Sequence, residues 1–234
     1  MASGSNGEPT GLKATSGIEL ITVGTPNGVK ASIFLEELKA AYGTEYNWQG
    51  IAILLYLARH YDTDNKFSFP VDSDEYSELE QWIGWQHGGL GPMQGQANHF
   101  VRFAKSRPSY AVQRFVGETE RLYGILDSRL STRKYVVGDK FTVADIAIVG
   151  WANLSTLAGI DLDQFPKVKA WYGRLLERPA IRSGLAIPNE SPVSNAALAR
   201  KLEEGGEEER PKAEATRNMI ADAKEEFAYK YASP

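Results

Sequence analysis

The N-terminal pattern of apolar and polar residues predicts one strand followed by one helix. Residues 18–23 form a short β-branched and apolar run bounded by glycines, which is typical of a strand. Thr25 and Pro26 then supply a capping hydroxyl and a residue suited to the first helical position, and apolar residues repeat at helical spacing up to Gly43. The pattern therefore predicts a strand, a tight turn and a helix in succession.

The remainder of the chain has the periodicity of helices. The segment 49–60 is apolar on nearly every side, which predicts a buried helix, and two later segments carry an apolar stripe on either side of a helix break predicted at GGLGPM. A further segment is apolar throughout and should form the centre of a helical bundle. The predicted helices cover residues 49–60, 73–87, 110–130, 141–154 and 163–178. After them, the Glu- and Lys-rich tail of residues 188–234 is expected to be a solvated helical extension.

A capping pair is predicted at the start of the central helix. Thr142 and Asp145 have the spacing of a capping box, in which the hydroxyl accepts from a first-turn amide and the carboxylate accepts from the amide of the capping residue. Because a buried helix start cannot hydrogen-bond to water, we expect this structural cap to matter more than one at the surface.

Composition narrows the chemistry that the chain can perform. The 234 residues include no cysteine and only three histidines, which excludes disulfides, protein thiolates and cysteine-ligated metals and argues against a histidine metal site. The net charge of −4 argues against nucleic acid as the main partner. Residues 1–17 are small and polar and no apolar run is long enough for a membrane helix, so we expect a flexible leader and a cytoplasmic protein without membrane contact.

Several motifs resemble those of the glutathione transferases, in particular the fungal and bacterial class related to the yeast nitrogen-regulation prion protein. They are TPNGVKASIFLEEL, AILLYLARHYD, EQWIGWQHGGLGPMQGQANHF, FTVADIAIVGWANL and FPKVKAWYGRLLERP, in the family's order. The resemblance implies an α/β thioredoxin-like N-terminal domain that binds glutathione and an all-α C-terminal bundle. The implied division is a leader at 1–17, the first domain at 18–62, a linker at 63–71, the bundle at 72–187 and the charged helical tail at 188–234.

The same resemblance shows that the first domain is truncated. In the family a strand, a short helix, a cis-proline loop and two strands precede the AILLYL helix, roughly 35 to 40 residues by typical element lengths. Here TEYNW leads almost directly into QGI. Gln49 and Gly50 stand where the family has a Glu-Ser pair that holds the γ-glutamyl group, so Gln49 could accept from the γ-glutamyl ammonium without supplying a charge.

The family's sulfur site is predicted at the start of the first helix. The Thr25 hydroxyl, the Asn27 amide and the first-turn backbone amides would converge at the positive end of the helix dipole, where a thiolate is stabilised. By resemblance, Asn27 and Thr25 are the catalytic pair that activates glutathione. The alternative from residue types alone is that TPNG is only a turn and a helix cap.

A second-substrate pocket is predicted along WQHGGLGPMQGQANHF. Trp85, His87, Met93 and Phe100 would line it with mixed apolar and polar surface, suited to a flat hydrophobic electrophile. The alternative is that Trp82 and Trp85 belong to the helix core, and that His87 and His99 are structural residues.

Two functions of different classes follow from these residues and the resemblance. The first is a glutathione transferase that conjugates glutathione to a hydrophobic electrophile, in detoxification or secondary-metabolite biosynthesis, or that reduces glutathione disulfides. The second is a non-catalytic interaction module, or the product of exon loss, that does not bind glutathione. The family also implies a homodimer, with glutathione as co-substrate and no metal.

Overall fold

The computed structural model describes residues 25–42 and 51–229, and these residues form helices. No strand occurs within these two ranges. The strand predicted at residues 18–23, Gln49 and Gly50 lie outside them. The ten α-helices of the described chain are α1 Pro26–Tyr42, α2 Ile51–Tyr61, α3 Asp74–Trp85, α4 Gly91–Asn98, α5 Ser109–Arg129, α6 Val143–Ala152, α7 Pro166–Leu176, α8 Pro179–Leu185, α9 Asn195–Glu204 and α10 Gly206–Glu226.

The centre of the bundle is α6, every residue of which is buried. Its start is fixed by the predicted capping pair: the Thr142 hydroxyl accepts from the Ala144 N–H at 3.3 Å, and the Asp145 carboxylate accepts from the Thr142 N–H at 2.9 Å. Asp145 also accepts from the Val136 N–H at 3.0 Å and from the Trp171 indole N–H at 2.8 Å. The carboxylate therefore joins α6, the loop before it and α7.

Two predicted features of the helices are wrong. The GGLGPM segment is not a helix break, because a π-helical turn at Gln86–Leu90 joins α3 to α4. In this turn the Gly91 N–H donates to the Gln86 carbonyl, the i−5 pattern of a π-helix, and Pro92, which has no N–H to donate, follows in the first turn of α4. The segment 49–60 is also not buried on every side, since Tyr56 on α2 is 44% exposed.

Helix α1 is held on the bundle by backbone contacts at two glycines. A Cβ on Gly184 of α8 would lie 2.4 Å from the Ile33 Cα, and a Cβ on Gly150 of α6 would lie 2.9 Å from the Pro26 carbonyl oxygen. A bidentate ion pair reinforces this contact, because Arg178 donates to both carboxylate oxygens of Glu37 at 2.7 and 2.6 Å. The start of α1 is thus positioned by the C-terminal bundle.

The charged tail also packs on the bundle, which differs from the solvated extension that we expected. Helix α10 lies along α5, with Ile220 and Ala223 buried, and Tyr229 covers Gly117. The Lys224 ammonium pairs with the buried Glu120 carboxylate. Sequence reasoning missed this docking because α10 is mostly charged and its few apolar residues produce no strong apolar stripe.

Replacing Gly159 with alanine should loosen α10. Gly159 has φ +78°, and a Cβ there would lie 2.3 Å from the Ile220 Cδ1. We expect urea denaturation to report a loss of about 2 to 3 kcal/mol, from left-handed strain together with displacement of Ile220. Gly138→Ala is the matched control, since Gly138 has φ +64° with no heavy atom within 4 Å of the added Cβ, and should lose only about 1 kcal/mol. Equal losses in the two variants would contradict the proposed Ile220 contact.

Candidate active site

The candidate sulfur site lies at the first turn of α1. The Thr25 hydroxyl accepts from the Gly28 N–H at 3.2 Å, which caps the helix, and Thr25 and Asn27 are both exposed. The Gly28 N–H is therefore already bonded within the helix cap and is not available to a ligand. The groups left to face a ligand are the Thr25 O–H, the Asn27 side-chain amide and the Asn27 backbone N–H.

Lys30, one turn further along α1, is buried at 1% exposure. Its ammonium donates to the Gln86 Oε1 at 2.8 Å, which links α1 to the first residue of the π-helical turn. Gln86 is itself fully buried, and its Nε2 has no hydrogen-bond partner among the described residues. Because the partner of Lys30 is neutral, burial lowers the pKa of Lys30 from its usual value to about 8.

The GPMQGQ motif packs against the end of α6. A Cβ on Gly91 would lie 3.2 Å from the Trp151 ring and 2.9 Å from the Gln86 Nε2, so only glycine fits there without displacing a neighbour. Gln94 donates to the Trp151 carbonyl at 2.8 Å and accepts from the Tyr123 hydroxyl at 3.0 Å. The buried Gln94 side chain therefore ties α4 to α6 and α5.

The TPNG motif at the start of α1 and the GPMQGQ motif of α4 contact the same turn of α6. The first turn of α1 contacts Gly150 through Pro26 and Val29, while Gly91 and Gly95 contact the adjacent residue Trp151. The Lys30–Gln86 hydrogen bond closes the same junction from the side of α1. This arrangement brings the predicted sulfur site and the predicted electrophile segment to neighbouring parts of the bundle.

The predicted pocket residues differ in their surroundings. His87 is exposed, whereas Trp85, Met93 and Phe100 are half-buried. The Trp85 ring packs edge-on against Trp82, with ring centroids 5.0 Å apart. Phe100 stacks on Phe115 with ring centroids 5.5 Å apart. Part of the surface of Trp85 and Phe100 is thus packed against other rings of the bundle. This part agrees with the alternative that these residues belong to the helix core.

Lys30, Gln86 and Gln94 are site residues that sequence reasoning missed. Lys30 and Gln94 have apolar or glycine neighbours on both sides and Gln86 follows a tryptophan, and all three are at most 1% exposed. A polar side chain within an apolar helix face is the signal that could have identified them, since buried polar groups require partners.

The described residues contain neither a group suited to a metal ion nor a helix suited to a membrane. Within residues 25–42 and 51–229, no group of three or more His, Asp or Glu side chains is placed to hold a metal ion. In those same ranges, no helix combines the length and the apolar character that crossing a membrane requires.

Comparison with known proteins agrees with these motifs. The family described as glutathione S-transferase, C-terminal domain, matches residues 96–179. The disulfide-bond oxidoreductase YfcG of Escherichia coli is 32% identical, in an alignment that covers 72% of this chain and 94% of YfcG. The chain belongs to the glutathione S-transferase family. The resemblance inferred from the motifs is therefore confirmed.

Solved structures show the fold of this glutathione S-transferase chain. A glutathione transferase homologue from Lodderomyces elongisporus, solved with two glutathione molecules per subunit, is 35% identical with a TM-score of 0.68 and covers 74% of this chain and 99% of its own. Ure2p in complex with S-p-nitrobenzylglutathione is 28% identical with a TM-score of 0.68, covering 74% and 96% of the two chains. The helical C-terminal part of the fold is thereby confirmed, whereas the α/β part remains a prediction.

The YfcG alignment also bears on the missing segment. It spans 206 positions but includes 72% of the 234 residues of this chain, or about 168, so about 38 positions of the alignment have no residue of this chain. This shortfall equals in size the strands, helix and cis-proline loop that the resemblance predicts to be missing between TEYNW and QGI.

Proposed function

We propose that this chain is a glutathione S-transferase that conjugates glutathione to a hydrophobic electrophile. The observation that carries the proposal is the exposed pair Thr25 and Asn27 at the start of a helix that the bundle itself positions. The same helix is hydrogen-bonded through Lys30 to Gln86, the first residue of the segment Gln86–Gly95 in which a second substrate would bind.

The chemistry requires only a stabilised thiolate. The Thr25 O–H and the Asn27 amide donate to the glutathione sulfur at the positive end of the α1 dipole, which lowers the pKa of the thiol from its usual ~8.5. The sulfur lone pair then forms a carbon–sulfur bond to the electrophile, and the displaced electron pair leaves with the leaving group or opens an epoxide, whose oxygen takes the proton. Trp85, His87, Met93 and Phe100 bind the apolar body of the electrophile.

Glutathione itself is held weakly. Gln49 accepts from the γ-glutamyl ammonium and Gly50 approaches its backbone, but the charge of the family's carboxylate is missing. Loss of a charge-assisted hydrogen bond costs about 1.5 to 3 kcal/mol, so we expect the affinity for glutathione to be lower by one to two orders of magnitude. In this proposal the glutathione-binding domain comprises residues 18–62 and the helical bundle residues 72–187. The protein acts in the cytoplasm as a homodimer.

Reduction of glutathione disulfides is the related reaction that this site could perform. A glutathione thiolate attacks one sulfur of a mixed disulfide, a new sulfur–sulfur bond forms, and the other sulfur leaves as a thiolate that takes a proton. The chain has no cysteine, so both attacking and leaving sulfurs belong to substrates. The naming of YfcG as a disulfide-bond oxidoreductase favours this reaction as the second activity to assay.

The candidate from another class is a non-catalytic interaction module. It is favoured by the shortfall of about 38 positions against YfcG, which matches the size of the glutathione-binding strands and cis-proline loop. A thermal melt with and without millimolar glutathione separates the two functions, because a ligand that binds only the native state raises the midpoint. An upward shift supports the transferase, and a cooperative melt without a shift supports the module.

Replacing Asn27 with alanine should remove conjugation. We expect kcat/KM for a chromogenic electrophile to fall about 100-fold, the effect of removing one preorganised donor to a developing anion. Because Asn27 is exposed, the melting temperature should stay within about one degree. Asn218→Ala, which replaces an exposed helical asparagine on α10, controls for the substitution. Full activity in the Asn27 variant would exclude it from the mechanism.

A further inference from the structure

A cleft of about 470 Å³ lies between the tail helices α9 and α10 and the helical bundle. We call it the tail cleft. Its volume falls in the range of small-molecule sites. None of Thr25, Asn27 or the predicted pocket residues lines it, so it is separate from the proposed glutathione site.

The interior surface of the tail cleft is apolar. Ile160 and Ile220 are buried at its base, and Leu198, Leu202 and Ala213 line its walls from the two tail helices. Side chains of this type bind the hydrocarbon part of a ligand by removing it from water.

The side chains that line the tail cleft include more positive than negative charges. Five cationic side chains and three carboxylates line it. Two of the carboxylates are already paired, Glu120 with Lys224 and Glu209 with Lys212. Arg102, Lys201 and Arg217 are the other three cations that line the cleft, and Asp161 is the one other carboxylate. The cleft therefore has an excess of two positive charges.

Among the described residues, the hydrogen-bond acceptors of Arg102 are all neutral. Its guanidinium donates to the Leu157 and Thr156 carbonyls at 3.2 and 3.3 Å and to the Thr216 hydroxyl at 3.2 Å, all of which are neutral acceptors. Burial, and next the charge of Arg107, lowers the pKa of Arg102. A partly buried cation without a counter-ion is unfavourable, and a carboxylate beside it offsets that cost.

We propose that the tail cleft binds a small amphipathic carboxylate, with its hydrocarbon chain between α9 and α10 and its carboxylate at Arg102, Lys201 and Arg217. The apolar base excludes small hydrophilic anions as preferred ligands, because they leave that surface uncovered. The excess of positive charge excludes amphipathic cations. A medium-chain fatty acid has a hydrocarbon chain for the apolar interior and a carboxylate for the cationic side chains.

Isothermal titration of the full-length chain with decanoate tests this proposal. Decanoate should bind with one site per chain, and decyltrimethylammonium, with the same chain length and the opposite charge, should not. Saturating glutathione should leave the decanoate isotherm unchanged, because the two sites are separate. Equal binding of the cation, multiple sites of the kind a detergent shows, no binding, or competition by glutathione would each overturn the proposal.

Charge-reversal variants locate the site. Lys201→Glu combined with Arg217→Glu should weaken decanoate binding about tenfold or more, because the carboxylate then meets two like charges. Arg210→Glu, an equal reversal on an exposed residue of α10 that does not line the cleft, should bind as the wild type does. Ala213→Trp, which fills the cleft with an aromatic ring, should also weaken binding and serves if the double variant fails to fold. Unchanged affinity in the folded cleft variants would refute the assignment.

Discussion

Replacing Asp145 with alanine is expected to lower the free energy of unfolding by about 3 to 5 kcal/mol, the range for removing one partner from a buried charged network. Asp145 is fully buried and accepts from four donors, belonging to Val136, Trp171 and the backbone and hydroxyl of Thr142. Burial raises the pKa of Asp145, and these donors oppose that rise. Alanine leaves all of the donors without an acceptor in the centre of the bundle, where water cannot replace it.

Asp127 provides the control for this prediction. It also holds backbone amides at a helix start, accepting from Lys167 and Val168 at 2.8 and 3.0 Å, but it lies at a partly exposed position. We expect Asp127→Ala to cost about 1 kcal/mol, the usual value for a solvated cap. Urea denaturation of both variants measures the difference, and similar losses would show that burial of Asp145 adds nothing to its capping role.

Replacing Lys30 with methionine is expected to raise the free energy of unfolding at pH 7 by about 1 to 2 kcal/mol, the cost of burying the charge less the cost of leaving the Gln86 side-chain carbonyl without a donor. The pKa of Lys30 is lowered from 10.5 to about 8, and each pKa unit corresponds to about 1.4 kcal/mol. At pH 7 the native and the unfolded chain both carry the charge, so the native state bears the full cost of burying it. Methionine keeps the aliphatic stem and removes that cost, with some offset because Gln86 loses its donor.

The pH dependence provides a second test of Lys30. Between pH 8 and 10.5 the native lysine loses its proton while the unfolded lysine keeps it, so the unfolded state binds more protons and stability rises with pH. This rise should be present in the wild type and missing from Lys30→Met. Lys39→Met, at an exposed position of the same helix, should retain it. If the Lys30 variant is less stable than the wild type at pH 7, or if its free energy of unfolding still rises between pH 8 and 10.5 as in the wild type, the assignment of an unfavourable buried ammonium is wrong.

The sequence allowed good prediction of the elements that depend on local pattern. Helices α1, α5, α6 and α7 were expected close to their observed bounds, because apolar periodicity and capping residues are encoded within a few positions. Helix α8 was missed because Pro179 was interpreted only as the end of α7, although proline also suits the first position of a new helix.

The parts of the site that could not be predicted depend on residues far apart in the chain. The Lys30–Gln86 bond joins positions 56 residues apart, and the Asp145–Trp171 bond joins positions 26 residues apart. Composition and spacing contain no information about which helix faces meet. The motif TPNG identified Thr25 and Asn27, whereas the contact of the same helical turn with Gly150 depends on the packing of α1 against α6 and α8.

The contacts of Gly150 and Gly184 with α1 have a consequence for restoring the missing segment. Since contacts with α6 and α8 position α1, the bundle offers a template on which the rest of an N-terminal domain could assemble. Strands inserted between TEYNW and QGI would meet a helix that is already in place, and would have to pair only with one another and with residues 18–23. Such an insertion is therefore a practical route to a complete glutathione site on this bundle.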